Sequence, residues 1–227
     1  MRISPVYPAP SVASILARLF EESGIDPTER VLSDLMAYIF ELESWNRRIN
    51  LTGITDPREM ALRHVGDTIL VALHTPEGAN TVLDIGTGAG VPGLVLKLIR
   101  QDLEVALVDA VRKKVSFLRY LIAKMGLSGV WAEHGRIGLD DVPIRRPREG
   151  FDLVISQAVG PLDRIVEIAS GLVREGGLIV SLKGPKGIEE LKAKEGWLTS
   201  KGWVARPVET RTPAAGYRRC LILVRKR

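Results

Sequence analysis

Between Thr81 and Leu182, five short apolar runs alternate with amphipathic stretches, and few architectures accept that pattern. The runs are TVLDI (81–85), EVALV (104–108), GVWAE (129–133), FDLVIS (151–156) and GLIVSL (177–182). Near-continuous hydrophobicity over five or six residues marks strands covered on both faces, as in a parallel sheet. Helices are expected at about 91–100, 112–125, 161–174 and 186–200, which gives the alternation of a doubly wound, Rossmann-like α/β fold. Two last runs, GWVARPVE (202–209) and YRRCLILV (217–224), have no helical stretch between them and are expected to pair as an antiparallel hairpin.

The first 75 residues have a different texture, helical throughout. Ser11 can cap a helix whose apolar positions are Val12, Ile15, Leu16, Leu19 and Phe20, with Gly24 as its stop. Asp26-Pro27 is expected to open a second helix with Val31, Leu32, Leu35, Ile39 and Leu42 on one stripe. A third should begin at Asp56, followed by Pro57 and Glu59. The expected organisation is a helical N-terminal extension, 1–75, and a catalytic-type α/β domain, 76–227.

Of the 227 residues, 45% are hydrophobic and 26% charged, the balance of a soluble globular chain. No run of about 18 apolar residues is present to span a bilayer. The opening MRISPVYPAPSVAS reads as a Pro-rich tail without an export signal, so a cytoplasmic location is expected, with no membrane partner. Cys220 is the single cysteine, and His64, His74 and His134 have no zinc-ligand spacing, so no metal is expected. Residues 1–80 hold seven basic against eleven acidic side chains, whereas residues 201–227 hold eight against one. Positive charge gathered toward the C-terminus is a footprint for nucleic acid or an ordinary solvated surface.

The stretch LDIGTGAGVPG (83–93) falls where the first strand should run into a helix, the place where open α/β sheets bind ligands. Gly86, Gly88 and Gly90 free the backbone to turn tightly and approach a ligand, although glycine clusters also make plain turns. Read from Gly88, GAGVPG matches the G-x-G-x-x-G dinucleotide pattern, a weak signal alone. Read from Asp84, DIGTGAG matches the D/E-x-G-x-G-x-G signature typical of S-adenosylmethionine-dependent methyltransferases. An acid there disfavours a pyrophosphate and suits a ligand carrying an ammonium and a sulfonium. Asp109, at the end of the second strand, can accept both hydroxyls of a ribose or cap the next helix.

Together with these motifs, WNRRINLTGITDPREMALRHVGDT (45–68), LVDAVRKKVSFLR (107–119), FDLVISQAV (151–159), LKG (182–184) and YRRCLILVRK (217–226) resemble the RsmG (GidB) family, guanine-N7 methyltransferases of bacterial small-subunit ribosomal RNA. The resemblance spans about residue 30 to the C-terminus. It implies a class I S-adenosylmethionine-dependent methyltransferase sheet, with Asp84, Gly86, Gly88, Gly90 and Val91 around the cofactor. It implies Asp109 on the ribose, Ile137 and Gly138 beside the adenine, and Ser156 and Gln157 at the reacting end. Two positions depart from the family pattern. Gln157 stands where S-R-A has arginine, and Gly138 where R-x-E has glutamate.

Guanine N7 already offers a lone pair, so such a transfer needs alignment and no general base. SQAVGP is not the Asn/Asp-Pro-Pro-Tyr/Phe arrangement common in amine methylation of bases, and Cys220 falls within an apolar strand, where packing suits it better than nucleophilic attack. RNA contacts are expected from Arg112, Lys113, Lys114, Lys183, Lys186, Arg211, Arg218 and Arg219. With 5% aromatics, a structured RNA or an assembled small subunit fits better than a stacked single strand, and the protein is expected to act as a monomer. Arg63, His64 and Asp67 form R-H-x-x-D, with His64 and Asp67 expected to pair on one helix face. Asn46, Asn50 and Thr52 are expected to organise a loop, and Trp45 to be core. The alternatives are a non-catalytic or divergent paralogue of the same fold and a nicotinamide-dependent oxidoreductase.

Overall fold

All seven apolar runs become strands: β1 (Thr81–Ile85), β2 (Glu104–Asp109), β3 (Val130–His134), β4 (Phe151–Gln157), β5 (Val173–Lys183), β6 (Trp203–Arg211) and β7 (Arg218–Lys226). In the computed structural model, which describes residues 10–227, they form one sheet in the order β3-β2-β1-β4-β5-β7-β6. The first five run parallel, and β7 lies antiparallel to both β5 and β6. The N-terminal Pro-rich stretch lies, up to Ala9, outside the described residues. No described helix is long and apolar enough to cross a membrane.

Strand pleating sorts the core into two faces. Val82, Val105, Leu107, Leu153, Ile155 and Val180 share a cluster with α1 (Val12–Ser23), α2 (Glu29–Ile49), α4 (Gly66–Ala72), α5 (Gly93–Ile99) and α6 (Arg112–Lys124). Leu83, Ile85, Ala106, Val108, Val154 and Ile179 face α7 (Leu162–Ser170) and α8 (Gly187–Ser200). Leu16, Leu19, Phe20, Leu35, Tyr38 and Ile39 belong to the same buried cluster as the sheet, so the N-terminal helices share its core.

The local signals act mostly where expected. Ser11 Oγ accepts from Ser14 N at 3.1 Å, and Gly24 ends α1 in the left-handed region at φ 72°. The second helix starts later than Asp26-Pro27 suggests, because Thr28 supplies the cap, its Oγ1 accepting from Val31 N at 3.3 Å. Asp56 caps α3 (Pro57–Met60), which passes through a π-helical turn, Ala61–Val65, before continuing as α4. Gly66 follows this turn for a steric reason: a Cβ there would come within 2.3 Å of Thr212 Cγ2.

From β1 the chain builds outward through β2 and β3, then returns to β4 on the other side of β1. That reversal leaves a crevice at the C-terminal ends of β1 and β4, where ligands of such sheets bind.

Candidate active site

The glycine loop is stitched to the neighbouring strand end. Gly86 N and Thr87 N both donate to Val108 O, at 2.8 and 3.0 Å, and Gly90 N and Val91 N donate to Thr87 O at 2.8 and 2.9 Å. Gly86, Gly88 and Gly90 have φ of +71°, +60° and +96°, a region L side chains rarely enter. A Cβ on Gly86 would meet Val159 Cγ2 at 2.5 Å, and one on Gly90 would meet Leu94 Cβ at 2.9 Å. On the other side, the fully buried Tyr38 of α2 donates from its hydroxyl to Ala89 O at 3.1 Å. Sequence reading passed over Tyr38, which looks like one more core aromatic on the α2 stripe.

Asp84, expected beside the cofactor, is sealed from solvent. It is fully buried, and its Oδ2 accepts from Gly93 N, the first residue of α5, at 2.8 Å. Strand alternation puts residue 84 on the same face as Val82, toward α5, and a helix N-terminus welcomes a carboxylate. Burial, with a smaller contribution from the Asp109 charge, outweighs the stabilising Thr87 hydroxyl and Gly93 N–H and pushes its pKa up to about 7. The Thr87 hydroxyl lies beside the carboxyl, but among the described residues neither Asp84 Oδ1 nor Thr87 Oγ1 makes a well-formed hydrogen bond.

Asp109 is 6% exposed and does two jobs. Oδ2 accepts from Gly88 N at 2.8 Å and Oδ1 from Val111 N at 2.8 Å, tying the glycine loop to the entry of α6. The helix cap itself is Val111, so Asp109 braces the turn ahead of α6 and does not cap it, and each of its oxygens keeps a second lone pair. Ile137 is half-buried against the α7 side of the core, and Gly138, at φ +83°, is exposed, with Ile168 Cγ1 of α7 3.5 Å from where its Cβ would be. Val111, Leu139 and Val159 are exposed apolar side chains on the loops leaving β2, β3 and β4.

At the end of β4, Ser156 is corrected: it is 2% exposed and its Oγ lies 3.4 Å from Ser181 Oγ on β5, inside the sheet. Pleating sends Gln157 the other way. It is half-buried, and its Nε2 donates to Asp67 Oδ2 at 3.0 Å. Asp67 is 2% exposed, and its Oδ1 also accepts from Arg219 Nε at 2.8 Å and Thr212 Oγ1 at 3.2 Å. Burial pushes its pKa up, opposed by Arg219, Thr212 and Gln157. The expected His64–Asp67 pair does not form, because the π-helical turn breaks the α-helical spacing between them. Burial and the adjacent Arg63 charge hold His64 neutral, its pKa lowered to about 4, and among the described residues its Nε2 has no hydrogen-bond partner.

Asn46 organises its loop, with Oδ1 accepting from Leu51 N at 2.6 Å and Thr52 N at 2.9 Å while Nδ2 donates to Ile54 O at 3.2 Å. Asn50 ends α2 at φ 48°, and Thr52 Oγ1 accepts from Ile54 N. Trp45 is half-buried between Phe117 and Tyr120 of α6, with ring centroids 5.6 and 4.9 Å away.

The cations divide into two kinds. Gln157 pairs with Leu182, Lys183 with Cys220 and Arg211 with Arg218, so the ends of β4, β5 and β6 and the start of β7 share one edge. Arg112, Lys113, Lys186, Arg211 and Arg218 are exposed, and Lys114 Nζ lies 3.9 Å from where a Gly88 Cβ would be. Lys183 and Arg219 are corrected to internal pins. Lys183 Nζ donates to Gly160 O at 2.7 Å and Glu190 Oε1 at 3.0 Å, with 13% of its side chain exposed, and Arg219 is held by Asp67 with 18% exposed. A cleft of about 230 Å³ at this edge is lined by Thr210, Arg211, Arg218 and Arg219. A larger groove, about 520 Å³, runs past Leu73, Leu178 and Val204 and contains no part of the glycine loop, so volume alone would misplace the site. Among the described residues, no three His, Cys, Asp or Glu side chains gather closely enough to hold a metal ion.

A family model described as rRNA small subunit methyltransferase G matches residues 31–214. The ribosomal RNA small subunit methyltransferase G of Moorella thermoacetica is 40% identical over 182 residues, covering 79% of this chain and 75% of that protein. The protein of the same name from Methylobacillus flagellatus is 38% identical over 170 residues, covering 75% and 80%. Among solved structures, the O-methyltransferase from Bacillus cereus in complex with SAH aligns over 92% of this chain and 97% of its own, with a TM-score of 0.58 and 17% identity. A methyltransferase from Pyrococcus furiosus gives a TM-score of 0.57 at 15% identity, over 84% and 98%. At such identities, these two likenesses establish the class I methyltransferase fold.

Proposed function

The chain belongs to the rRNA small subunit methyltransferase G family, and on that premise we propose that it transfers a methyl group from S-adenosylmethionine to N7 of a guanine in 16S, small-subunit ribosomal RNA. The single observation that carries this is the left-handed Gly86-Gly88-Gly90 turn at the sheet's reversal, tied to Asp109 through Gly88 N. The residues fit the cofactor. Side chains are absent where the backbone must approach it, and Asp109 retains acceptor capacity for ribose hydroxyls. Gly86, Gly88, Gly90, Val91 and Asp109 would hold it, with Val111, Ile137, Gly138 and Leu139 as the apolar or bare surroundings of the adenine. Asp84 acts from beneath, fixing the loop to α5.

S-adenosylmethionine supplies a sulfonium-bound methyl group, transferred by in-line displacement. The protein's own work is alignment. A guanine N7 lone pair loses no proton on attack, which suits an edge where His64 Nε2 and Asp84 are sealed from solvent and Asp67 and Asp109 are engaged in hydrogen bonds. Gln157, at the reversal, stands next to the reacting base.

Arg112, Lys113, Lys114, Lys186, Arg211 and Arg218 offer the RNA backbone a cationic rim on this edge. The substrate is small-subunit RNA, free or assembled, and the setting is the cytoplasm with its ribosomes. The protein acts as a monomer, residues 1–75 serving as an extension that braces the catalytic domain 76–227. Nucleoside mass spectrometry of small-subunit RNA from cells lacking the gene tests the reading. Loss of one 7-methylguanosine is expected, and an unchanged 7-methylguanosine content would overturn it.

A further inference from the structure

Asp67 collects donors from three parts of the chain that are distant in sequence: Gln157 at the end of β4, Thr212 after β6 and Arg219 on β7. A carboxylate 2% exposed is costly to hold without such donors. Burial pushes the Asp67 pKa up, but Arg219 Nε, Thr212 Oγ1 and Gln157 Nε2 all donate to it, and a carboxylate ringed by three donors only accepts. That settles which end of the Gln157 amide can meet it: the nitrogen. Oε1 is turned away from Asp67. Among the described residues it has no hydrogen-bond partner, and it is not one of the sealed, orphaned atoms, so solvent reaches it. It sits on the strand that borders the crevice, two residues before the Val159 side chain that covers Gly86.

The surroundings make this a rigid mount. Arg63 lies over the Tyr217 ring at 4.5 Å and Arg219 at 5.6 Å from its centroid, the Tyr217 hydroxyl donates to Glu59 Oε2 at 3.1 Å, and Glu59 pairs with Arg63 at 2.8 Å. The π-helical turn and the hairpin are thereby clamped together on either side of Asp67.

We propose that Asp67 is the positioning residue for Gln157, fixing its amide so that Oε1 accepts a hydrogen bond from the N1–H or N2–H₂ donors of the target guanine. This rests on guanine being the methylated base. Adenine has neither a hydrogen on N1 nor an amino group on C2, so the oriented oxygen selects guanine.

The test is steady-state methyl transfer from S-adenosylmethionine to unmodified small subunits. In Gln157→Glu, two carboxyl groups at hydrogen-bond distance share one proton, and the shared proton replaces the amide N–H while leaving an outward oxygen acceptor. The groups around the pair are Arg219 and Thr212, and His64 on the neighbouring turn is neutral. The variant is expected to approach wild-type kcat in mild acid and to fall about tenfold as the pair loses its proton, with KM for S-adenosylmethionine unchanged and wild type level over the same range. Asp67→Asn, which lets the amide turn over, is expected to lower kcat about tenfold while calorimetric S-adenosylmethionine affinity and the circular dichroism spectrum hold. It serves equally if Gln157→Glu does not fold. A Gln157→Glu profile parallel to wild type, or wild-type kcat in Asp67→Asn, overturns the proposal. Failure of the wild type itself to methylate guanine overturns the proposed function first, and this assignment with it.

Discussion

Replacing Asp84 by Asn separates two roles that the sequence alone leaves superposed. A carboxylate facing the cofactor's ammonium would contribute a charge-assisted contact, and its loss would weaken binding roughly 10- to 100-fold. In the structure Asp84 is buried beneath the loop, accepting from Gly93 N, with a pKa raised to about 7. The folded state therefore binds this proton more tightly than the unfolded chain, whose carboxyl titrates near 4. Its contribution to stability is most favourable below about pH 4, declines as pH rises toward 7 and is level beyond. Three pKa units set a ceiling of about 4 kcal/mol for that decline. Local relaxation reduces it to about 2 kcal/mol, which corresponds to roughly 4–8 °C in Tm for a chain of this size. Asn keeps an oxygen for Gly93 N and brings an amide donor beside the Thr87 hydroxyl. Thermal unfolding at pH 4 and pH 8 should show the wild type losing about 4–8 °C more than Asp84→Asn between the two. Calorimetry should show S-adenosylmethionine affinity within about threefold of wild type. Parallel Tm profiles together with a tenfold loss of affinity would refute the buried-brace account.

Gly86→Ala places a Cβ 2.5 Å from Val159 Cγ2 at φ +71°, and should cost about 1–2 kcal/mol of stability and most of the S-adenosylmethionine affinity, measured by thermal unfolding and calorimetry. Asp152 is pushed up by burial, but Arg174 and the Asn80 and Thr81 donors prevail and hold its carboxyl down to about 2. Its support is therefore present above about pH 4 and lost as pH falls through 2, so Asp152→Asn should lower Tm at neutral pH and flatten the acid limb, checked by unfolding across pH 2–7. Lys186→Glu and Arg218→Glu should each weaken binding to small subunits and reduce the salt slope by about one, followed by filter binding at graded salt, with S-adenosylmethionine affinity unchanged.

The sheet was readable because a buried parallel strand has one signature, a run without polar breaks, and because the hairpin lacked a helical stretch between its runs. The glycine loop was readable because three left-handed residues in a row of alternation have few other uses. Side-chain direction was not. Asp84 and Ser156 are in the right strands but point into the sheet's packing, a consequence of pleating and of which helix covers each face. Lys183 and Arg219 look like any surface cation in sequence, and only the proximity of Gly160 O, Glu190 and Asp67 makes them pins. The π-helical turn escapes propensity altogether, since Ala61–Val65 is an ordinary helical string, and the residues just after it, Gly66 and Asp67, pack against Thr212 and Arg219 far along the chain. Tyr38 was missed for the same reason, its partner lying 51 residues on.

The central claim is that this glycine-lined edge methylates guanine N7 in small-subunit RNA. Its most direct test is incubation of the purified protein with unmodified small subunits and methyl-labelled S-adenosylmethionine, followed by nucleoside mass spectrometry. The account predicts label in 7-methylguanosine at a single position. Label in any other nucleoside, or none transferred while the cofactor binds, would contradict it.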